Sequence, residues 1–420
     1  MNNSKYLIYF AFIVFFVACA RSPIKQKKQA MRQYSGEVSL ADDLDFKHLI
    51  LGIQTHIQYF EKKDFNSKLR FGPREITVGE YVDALKYIIR GQYPEQVDNI
   101  LFYKKLNEVF DIFEVYGGKD WGDVFITSYF DPEIEGSIVK TERFSEPLFR
   151  TPEDLVSINM GAFIEAFPKL KPIEKNVIEQ KSRDRVVRGR LIKSSTATQY
   201  KVVPYYDREQ MDSKLVLASL KDQIIVWVDP IDAFFLQIQG SGRVRLADGK
   251  SIKVGYAAQN GHPYVAIGRF LLDKIPREEM SLQKIESHLR SLSEVEYREI
   301  LNKNPSYVFF QKLDTKSLTF MGTEVIEGRT IATDYSYFPK GALGYIEYEK
   351  PIYENEHEPP AKWVKSSRFI IDQDTGGAIR GPHRLDLYWG SGDEAKKVAG
   401  VMRNPGRLYY FVPKIKKEKL

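Results

Sequence analysis

The stretch from Phe369 to Gly390 places the strongest constraint on how this chain can fold. Its apolar start, Phe369–Ile371, predicts a strand that delivers Asp374 into a turn. Paired glycines at 376 and 377 allow positive φ and close backbone approach in that turn. A second apolar piece then leads through a Gly-Pro pair to the aromatic segment RLDLYWG, which contains Asp386. The stretch therefore predicts a strand, a glycine-rich turn and an apolar segment that carries a carboxylate.

Asp386 lies between Leu385 and Leu387. If this segment lines a concave surface, burial disfavours the charged carboxylate, raises its pKa and lets it hold a proton near neutral pH. A general acid needs that property. An Asp near a glycine-rich loop is also typical of an Asx-turn or a helix cap. Spacing alone therefore leaves both interpretations open for Asp386 and for Asp374.

Length and charge bound the class of protein. A chain of 420 residues predicts about two or three domains. The balance of 62 Lys and Arg against 56 Asp and Glu gives a net charge of +6 without a long basic stripe, so nucleic-acid binding is not indicated. Basic clusters at 25–28 and 414–419 are typical of solvated tails, with contact to anionic lipid or wall polymer as the alternative.

The first residues have the pattern of an export signal. Lys5 precedes an apolar run, Tyr6–Val17, that is too short to span a membrane comfortably, and the chain's one cysteine, Cys19, follows. This arrangement resembles a bacterial lipobox, in which Cys19 becomes the lipidated first residue and the lipid serves as the anchor. A non-lipidated export signal with a chance cysteine is the alternative. With one cysteine, no disulfide forms within the chain.

Residues 20–40 are polar and lack apolar periodicity, which predicts a flexible tether. Helical spacing follows at 43–62, at 81–91 behind a capping box that begins at Thr77, and at 94–116. Residues 123–130 then read as a strand that Asp131-Pro132 stops.

The segment from 133 to 316 is predicted to be a unit of its own. Strands are expected at 223–228 and 233–240, and a hairpin turn of the Asp-Gly type at 247–250. Helices are expected after Thr151 and at 263–274, 282–292 and 293–302. Many short strands with turn signals predict a small barrel. The flanking parts, 41–132 and 317–420, are expected to form the other domain.

Two motifs in this segment have a composition suited to carbohydrate binding. The first, FLQIQGSG, contains Gln239 and Ser241, and the second, VGYAAQNGHPY, contains Tyr256 and Asn260. Glycines let a polymer approach, while amides and hydroxyls bond sugar hydroxyl and acetamido groups. Gly-Ser-Gly and Asn-Gly are also ordinary turn sequences, so the motifs alone are weak.

The pattern Asp-x-Gly-Gly-x-Ile-x-Gly, followed by Asp-x-Tyr-x-Gly, resembles the three-aspartate (3D) module of the membrane-bound lytic murein transglycosylase A (MltA) family. The two carbohydrate motifs and the segment NPSYVFF at 304–310 resemble the same family. The resemblance runs colinearly from about Phe125 to Val412, which is more specific than any one motif.

The resemblance implies a mostly β fold with accessory helices: a double-psi β-barrel, an inserted smaller β-barrel and a cleft between them. It implies that Asp386 is the catalytic acid and base, and that neither a cofactor nor a metal is needed. The implied partners are peptidoglycan glycan strands and the outer membrane, on its periplasmic face. The residues expected to contact the substrate are Thr127, Tyr129, Gln239, Ser241, Tyr256, Asn260, Asp374 and Trp389.

Two departures from the family pattern concern the local geometry. Trp389 occupies a position where polar residues are allowed, which predicts altered sugar stacking, and one extra residue precedes Asp386. The expected reaction is cleavage between N-acetylmuramic acid and N-acetylglucosamine with closure of a 1,6-anhydro ring. The alternatives are a muramidase in which Asp374 or another carboxylate activates water and a wall-binding lipoprotein without activity. An aspartic protease is disfavoured, because it needs two Asp-Thr-Gly elements and the chain has one.

Overall fold

The computed structural model describes residues 26–118, 120–173, 185–193, 199–277, 279–313, 318–354, 360–376 and 379–415. Cys19 and the predicted signal segment lie outside the described residues, as do Gly377 and Ala378. Within the described ranges, no helix combines the length and the apolar character needed to cross a membrane.

Six strands close into a barrel, because β19 pairs with both β16 and β5. The order around the ring is β5, β18, β15, β17, β16, β19 and back to β5. The strands are β5 (Val124–Asp131), β15 (Thr330–Ala332), β16 (Ala342–Ile352), β17 (Lys362–Asp374), β18 (Arg384–Ser391) and β19 (Arg403–Pro413). The pairs β5/β18 and β15/β17 are parallel and the others antiparallel. On the far side of β19, β4 (Phe110–Val115) and β1 (Met31–Gln33) extend the sheet.

Helices cover the barrel with apolar faces. In α1 (Lys47–Phe60), the buried residues Leu49, Ile53, Ile57 and Phe60 recur at helical spacing. The second helix, α2 (Val78–Ile89), begins at the predicted capping box, in which Thr77 and Glu80 bond each other's backbone N–H. These helices and α3 (Asn99–Val109) share one hydrophobic core with the barrel interior. A small hairpin, β2 (Lys68–Phe71) with β3 (Arg74–Thr77), precedes α2.

The segment between β5 and β15 forms a second six-stranded sheet, in the order β14, β13, β12, β6, β11, β7. A bridge between Arg150 and Phe310 connects its two edges, so this sheet also closes. Its strands are β6 (Glu133–Ser137), β7 (Glu146–Phe149), β11 (Ile224–Val228), β12 (Ser241–Leu246), β13 (Ser251–Gln259) and β14 (Val308–Leu313). Gly249 has φ +81° in the predicted hairpin turn between β12 and β13.

The remaining elements surround this smaller barrel. A three-stranded sheet consists of β8 (Leu155–Asn159), β9 (Val186–Lys193) and β10 (Tyr200–Val203). The helices are α4 (Met160–Ala166), α5 (Lys214–Ser219), α6 (Pro230–Gln239), α7 (Leu282–Arg290) and α8 (Glu294–Leu301), and α9 (Gly392–Ala399) packs on the main barrel. Short helical turns span Lys27–Gln29, Pro168–Leu170, Lys171–Ile173, Arg208–Met211, Lys221–Gln223 and Ile267–Phe270. The predicted mostly β fold, with a closed barrel and few helices, is confirmed.

Several predicted elements are wrong. The apolar run at 233–240 is not a strand but most of α6, which Asp229 caps by accepting from two backbone N–H groups. Gly240 ends this helix in the left-handed conformation, with φ +84°. The predicted helix at 94–116 stops at Val109, because the chain enters β4, and the one at 263–274 is reduced to one turn. After Thr151 the chain enters β8 instead of a helix.

The predicted tether is also too long. Ala30 and Met31 are fully buried, and β1 pairs with β4 from Met31 onward. Further along, Asp42 forms a buried ion pair with Arg329. The chain is therefore fixed to the barrel well before residue 40.

Candidate active site

Asp386 lies in the middle of β18, opposite Thr127 of β5 on one side and Ala332 of β15 on the other. Its neighbours Leu385 and Leu387 are fully buried in the main hydrophobic core. Because side chains alternate along a strand, Asp386 points to the opposite face, and 19% of its side chain is exposed. The sequence Leu-Asp-Leu therefore brings one carboxylate to the surface of the barrel.

Two side chains hold the Asp386 carboxylate. The Thr127 hydroxyl donates to its Oδ1 atom. Arg384, two residues earlier on the same face of β18, donates from Nε to Oδ1 at 3.1 Å and from Nη2 to Oδ2 at 3.4 Å. Arg384 also donates to the Thr127 hydroxyl at 3.2 Å. Thr127 and Arg384 thus fix the rotamer of the carboxylate.

Tyr264 brings the inserted unit to this site. Burial of its hydroxyl raises its pKa, and the charges of Arg384, Arg208 and Asp386 act on this hydroxyl. The residue as a whole is still 39% exposed, so the ring keeps an open side. Tyr264 belongs to a loop of the inserted segment and Asp386 to the main barrel, so this charge interaction connects the two units. The sequence prediction did not single out Tyr264 or Arg384.

Tyr129 and Asp374 form a second pair on the same face. Tyr129 follows Thr127 by two residues on β5, and its hydroxyl donates to Asp374 Oδ2 at 2.8 Å. Asp374 Oδ1 accepts from the backbone N–H groups of Phe320 and Thr375, both at 2.9 Å. Burial raises the pKa of Asp374. All of these bonds make Asp374 a brace between β5 and two loops.

The two carboxylates are well separated. Ala332 of β15 pairs with Asp386 on one side and with Asp374 on the other. Two strand spacings of about 4.8 Å put their Cα atoms about 10 Å apart. Both residues are half-buried, and both oxygens of Asp374 accept hydrogen bonds from protein donors.

Gln239 and Ser241 lie at the joint between the two units. Gln239 Oε1 accepts from the backbone N–H of Phe130 at 3.2 Å, and the Ser241 hydroxyl donates to Asp131 Oδ1. Asp131, at the end of β5, also accepts from the Tyr388 hydroxyl at 3.2 Å. The sequence analysis predicted that these polar side chains contact the sugar. In the structure they form hydrogen bonds that fix the inserted barrel against β5.

Asn260 is also part of the scaffold. Its side chain is fully buried, and its amide donates to the carbonyl oxygens of Tyr206 and Pro305, each at 2.9 Å. Its carbonyl oxygen accepts from the backbone N–H of Tyr307 at 3.0 Å. With both ends bonded to backbone, this side chain has no open face for a sugar, which argues against the predicted contact.

Trp389 points away from Asp386. Odd-numbered residues of β18 face the core side, and the Trp389 ring packs at 6.3 Å from the Tyr348 ring, with the Arg368 guanidinium 5.1 Å from its centre. The predicted stacking of Trp389 on a sugar near Asp386 therefore conflicts with this geometry. Tyr256 on β13, by contrast, is 47% exposed and stays a candidate for substrate contact.

Among the residues that the structure describes, no group of three His, Cys, Asp or Glu side chains is placed to hold a metal ion.

The chain was compared with known protein families and structures. It matches the family model described as the MltA specific insert domain over residues 125–311 and the 3D domain model over residues 329–412. Membrane-bound lytic murein transglycosylase A from Escherichia coli (strain K12) is 29% identical over 303 residues, which are 71% of this chain and 68% of that protein. The resemblance predicted from the sequence is confirmed.

Solved structures agree on the fold. A membrane-bound lytic murein transglycosylase from Agrobacterium tumefaciens matches with a TM-score of 0.69 at 24% identity, over 91% of this chain and 98% of that one. E. coli MltA with bound chitohexaose matches with a TM-score of 0.61 at 21% identity, over 92% of this chain and 95% of that one.

Proposed function

Since this chain belongs to the membrane-bound lytic murein transglycosylase A family, we propose that it cleaves peptidoglycan glycan strands as a lytic transglycosylase. The bond cleaved is the β-1,4 linkage between N-acetylmuramic acid and N-acetylglucosamine. The observation that carries the proposal is the placement of Asp386, a partly exposed carboxylate held by Thr127 and Arg384 where the two barrels face each other.

One carboxyl group is enough for this reaction. Asp386 in its acid form protonates the linking oxygen, so that the bond to C1 of N-acetylmuramic acid breaks and the N-acetylglucosamine hydroxyl leaves. The resulting carboxylate then takes the proton of the C6 hydroxyl, whose oxygen bonds to C1 and closes the 1,6-anhydro ring. Because the nucleophile belongs to the same sugar, its attack is intramolecular and needs no bound water.

The environment of Asp374 supports this reaction over hydrolysis. An inverting or retaining glycosidase needs a second carboxylate that activates water or attacks the sugar. Both oxygens of Asp374 are bonded to Tyr129, Phe320 and Thr375, and burial raises its pKa. A water molecule would have to compete with these protein donors for the carboxylate oxygens of Asp374. A muramidase is therefore the weaker assignment.

The glycan strand is proposed to lie across the barrel face that carries Asp386. A solved structure of E. coli MltA contains bound chitohexaose, and Tyr256 and Tyr264 are exposed side chains of the inserted segment here. Thr127 and Tyr129, next to their carboxylate partners, are proposed to lie under the glycan strand on this face of the barrel. Gln239 and Ser241 are proposed to contribute chiefly by holding the inserted barrel in place.

Domain limits and location follow as further parts of the proposal. The sheet membership supports a catalytic domain from 41–132 and 317–420 and an inserted domain at 133–316, with the catalytic part extended back to about residue 30. Lipidation of Cys19 would leave only about ten residues between the lipid and the barrel, anchoring the enzyme to the periplasmic face of the outer membrane.

The test is Asp386→Asn, which keeps the size of the side chain and removes the transferable proton. We expect loss of essentially all muropeptide release from isolated sacculi, with the same unfolding transition as the parent. Asp83→Asn, an identical change at an exposed position of α2, is the matched control and should keep full activity. Mass spectrometry should show 1,6-anhydro ends in the parent's products. Products heavier by one water would identify a hydrolase, and near-normal turnover by Asp386→Asn would refute the role of Asp386.

A further inference from the structure

A short loop beside the candidate active site displays two apolar side chains to solvent. Leu318 is 49% and Phe320 58% exposed. The loop is a tight hairpin, in which Thr319 and Thr323 bond each other through backbone and hydroxyl groups. Gly322, with φ +76°, makes the turn. The exposure therefore belongs to an ordered loop.

Phe320 is stacked on Tyr335. Their ring centres are 5.4 Å apart and the planes differ by 16°. This arrangement presents the outer face of the Phe320 ring as a flat, supported surface. A ring held in this way loses little conformational freedom when a ligand covers it.

Both members of the stack are tied to the segment that carries the two aspartates. The backbone N–H of Phe320 donates to Asp374 Oδ1 at 2.9 Å. The neighbour of Tyr335, Asp334, accepts from the backbone N–H of Gly381 at 2.9 Å, in the loop that leads into β18. The stack is therefore fixed relative to Asp386, from which it is separated by the Tyr129–Asp374 pair.

We infer that the Phe320–Tyr335 stack is a sugar-binding subsite for the glycan strand, on the Asp374 side of the cleaved linkage. The inference rests on the proposed function and deepens it. A pyranose ring has an apolar face of C–H groups that can cover an aromatic ring, and aromatic side chains are the usual apolar lining of ligand sites. Asp386 is bonded to Thr127, and Tyr129 lies two residues further along β5. Tyr129 is bonded to Asp374, which accepts from the backbone of Phe320. A glycan strand laid along this series therefore reaches Phe320 after Tyr129.

The test measures binding separately from catalysis. The probe is the hexamer of N-acetylglucosamine, titrated calorimetrically into protein that carries Asp386→Asn, so that the ligand is not consumed. Adding Phe320→Ala should weaken hexamer binding about three- to tenfold, the effect of one lost aromatic contact. Phe320→Trp should keep the affinity within about twofold, because a larger ring still covers the sugar.

A matched control is Phe163→Ala on α4, where the side chain is 48% exposed. It should leave hexamer binding unchanged, and both alanine variants should unfold like their parent. Hexamer affinity in Phe320→Ala within twofold of its parent, or an equal loss in Phe163→Ala, would overturn the subsite, as would a parent that does not bind the hexamer. None of these results bears on anhydro-muropeptide release by the active chain, which tests the proposed function independently.

Discussion

Replacing Thr127 by Val tests whether the hydroxyl that holds Asp386 matters for turnover. The change keeps the shape and the strand preference of residue 127 and removes the hydrogen bond to Asp386 Oδ1. A hydrogen bond to a charged group contributes about 1.5–3 kcal/mol. At about 1.4 kcal/mol per tenfold change in rate, full loss of this positioning lowers turnover about 10- to 150-fold.

The assay is muropeptide release from purified sacculi over a range of substrate concentrations. Because Thr127 acts by orienting Asp386, we expect kcat to fall while KM changes little. Thr127→Ser restores the hydroxyl and should recover most of the activity. Ser128→Ala is the neighbouring control, since that side chain turns to the other face and donates to Ala399 at 3.4 Å. Turnover by Thr127→Val within twofold of the parent would refute the reasoning, as would failure of Thr127→Ser to recover activity.

Two further predictions concern stability and location. Burial raises the pKa of Asp232 from 3.8 to about 6. Between about pH 4 and pH 6, the folded chain therefore binds more protons at Asp232 than the unfolded chain does. The contribution of Asp232 to the free energy of unfolding thus decreases as the pH rises through this range. Asp232→Asn removes that contribution. Urea titrations at both pH values should therefore show that the free energy of unfolding changes more favourably from pH 4 to pH 6 in the variant than in the parent. The same change in both proteins would contradict the assignment. Cys19→Ser should abolish incorporation of labelled palmitate and release the protein from the membrane fraction, whereas unchanged membrane retention would argue against the lipid anchor.

Local signals in the sequence predicted many elements correctly. The capping boxes at Thr77 and Ser293 begin helices, and the Asp-Gly turn at 248–249 joins two strands. The prediction of a strand at 233–240 was wrong, because a short apolar run fits a buried strand and a buried helix equally well. The residues on either side of this run indicate a helix more clearly, since Asp229-Pro230 is typical of a helix start and Gly240 of a helix end.

The candidate site was predictable only in part. The apolar setting of Asp386 between two leucines made it a candidate, and the resemblance identified its module. The contact with Thr127 depends on parallel pairing of β5 with β18, two strands separated by more than 250 residues, which no local pattern encodes. The prediction that Asn260 contacts the sugar conflicts with the structure, because an amide side chain that can bond a sugar can equally bond buried backbone groups.

The inserted barrel is best understood as part of the active site, because one carboxylate joins it to the catalytic strand. Asp131 accepts from Ser241 of the inserted barrel, lies 3.7 Å from Lys253 Nζ of the same barrel, and accepts from Tyr388 of β18. Tyr388 is two residues from Asp386 and shares its face. Contacts of Asp131 therefore join the inserted barrel to the strand that carries Asp386. Ser241 also shows why polar residues in a glycine-rich motif resemble sugar ligands in sequence, because here the same hydroxyl chemistry serves the joint between the two units.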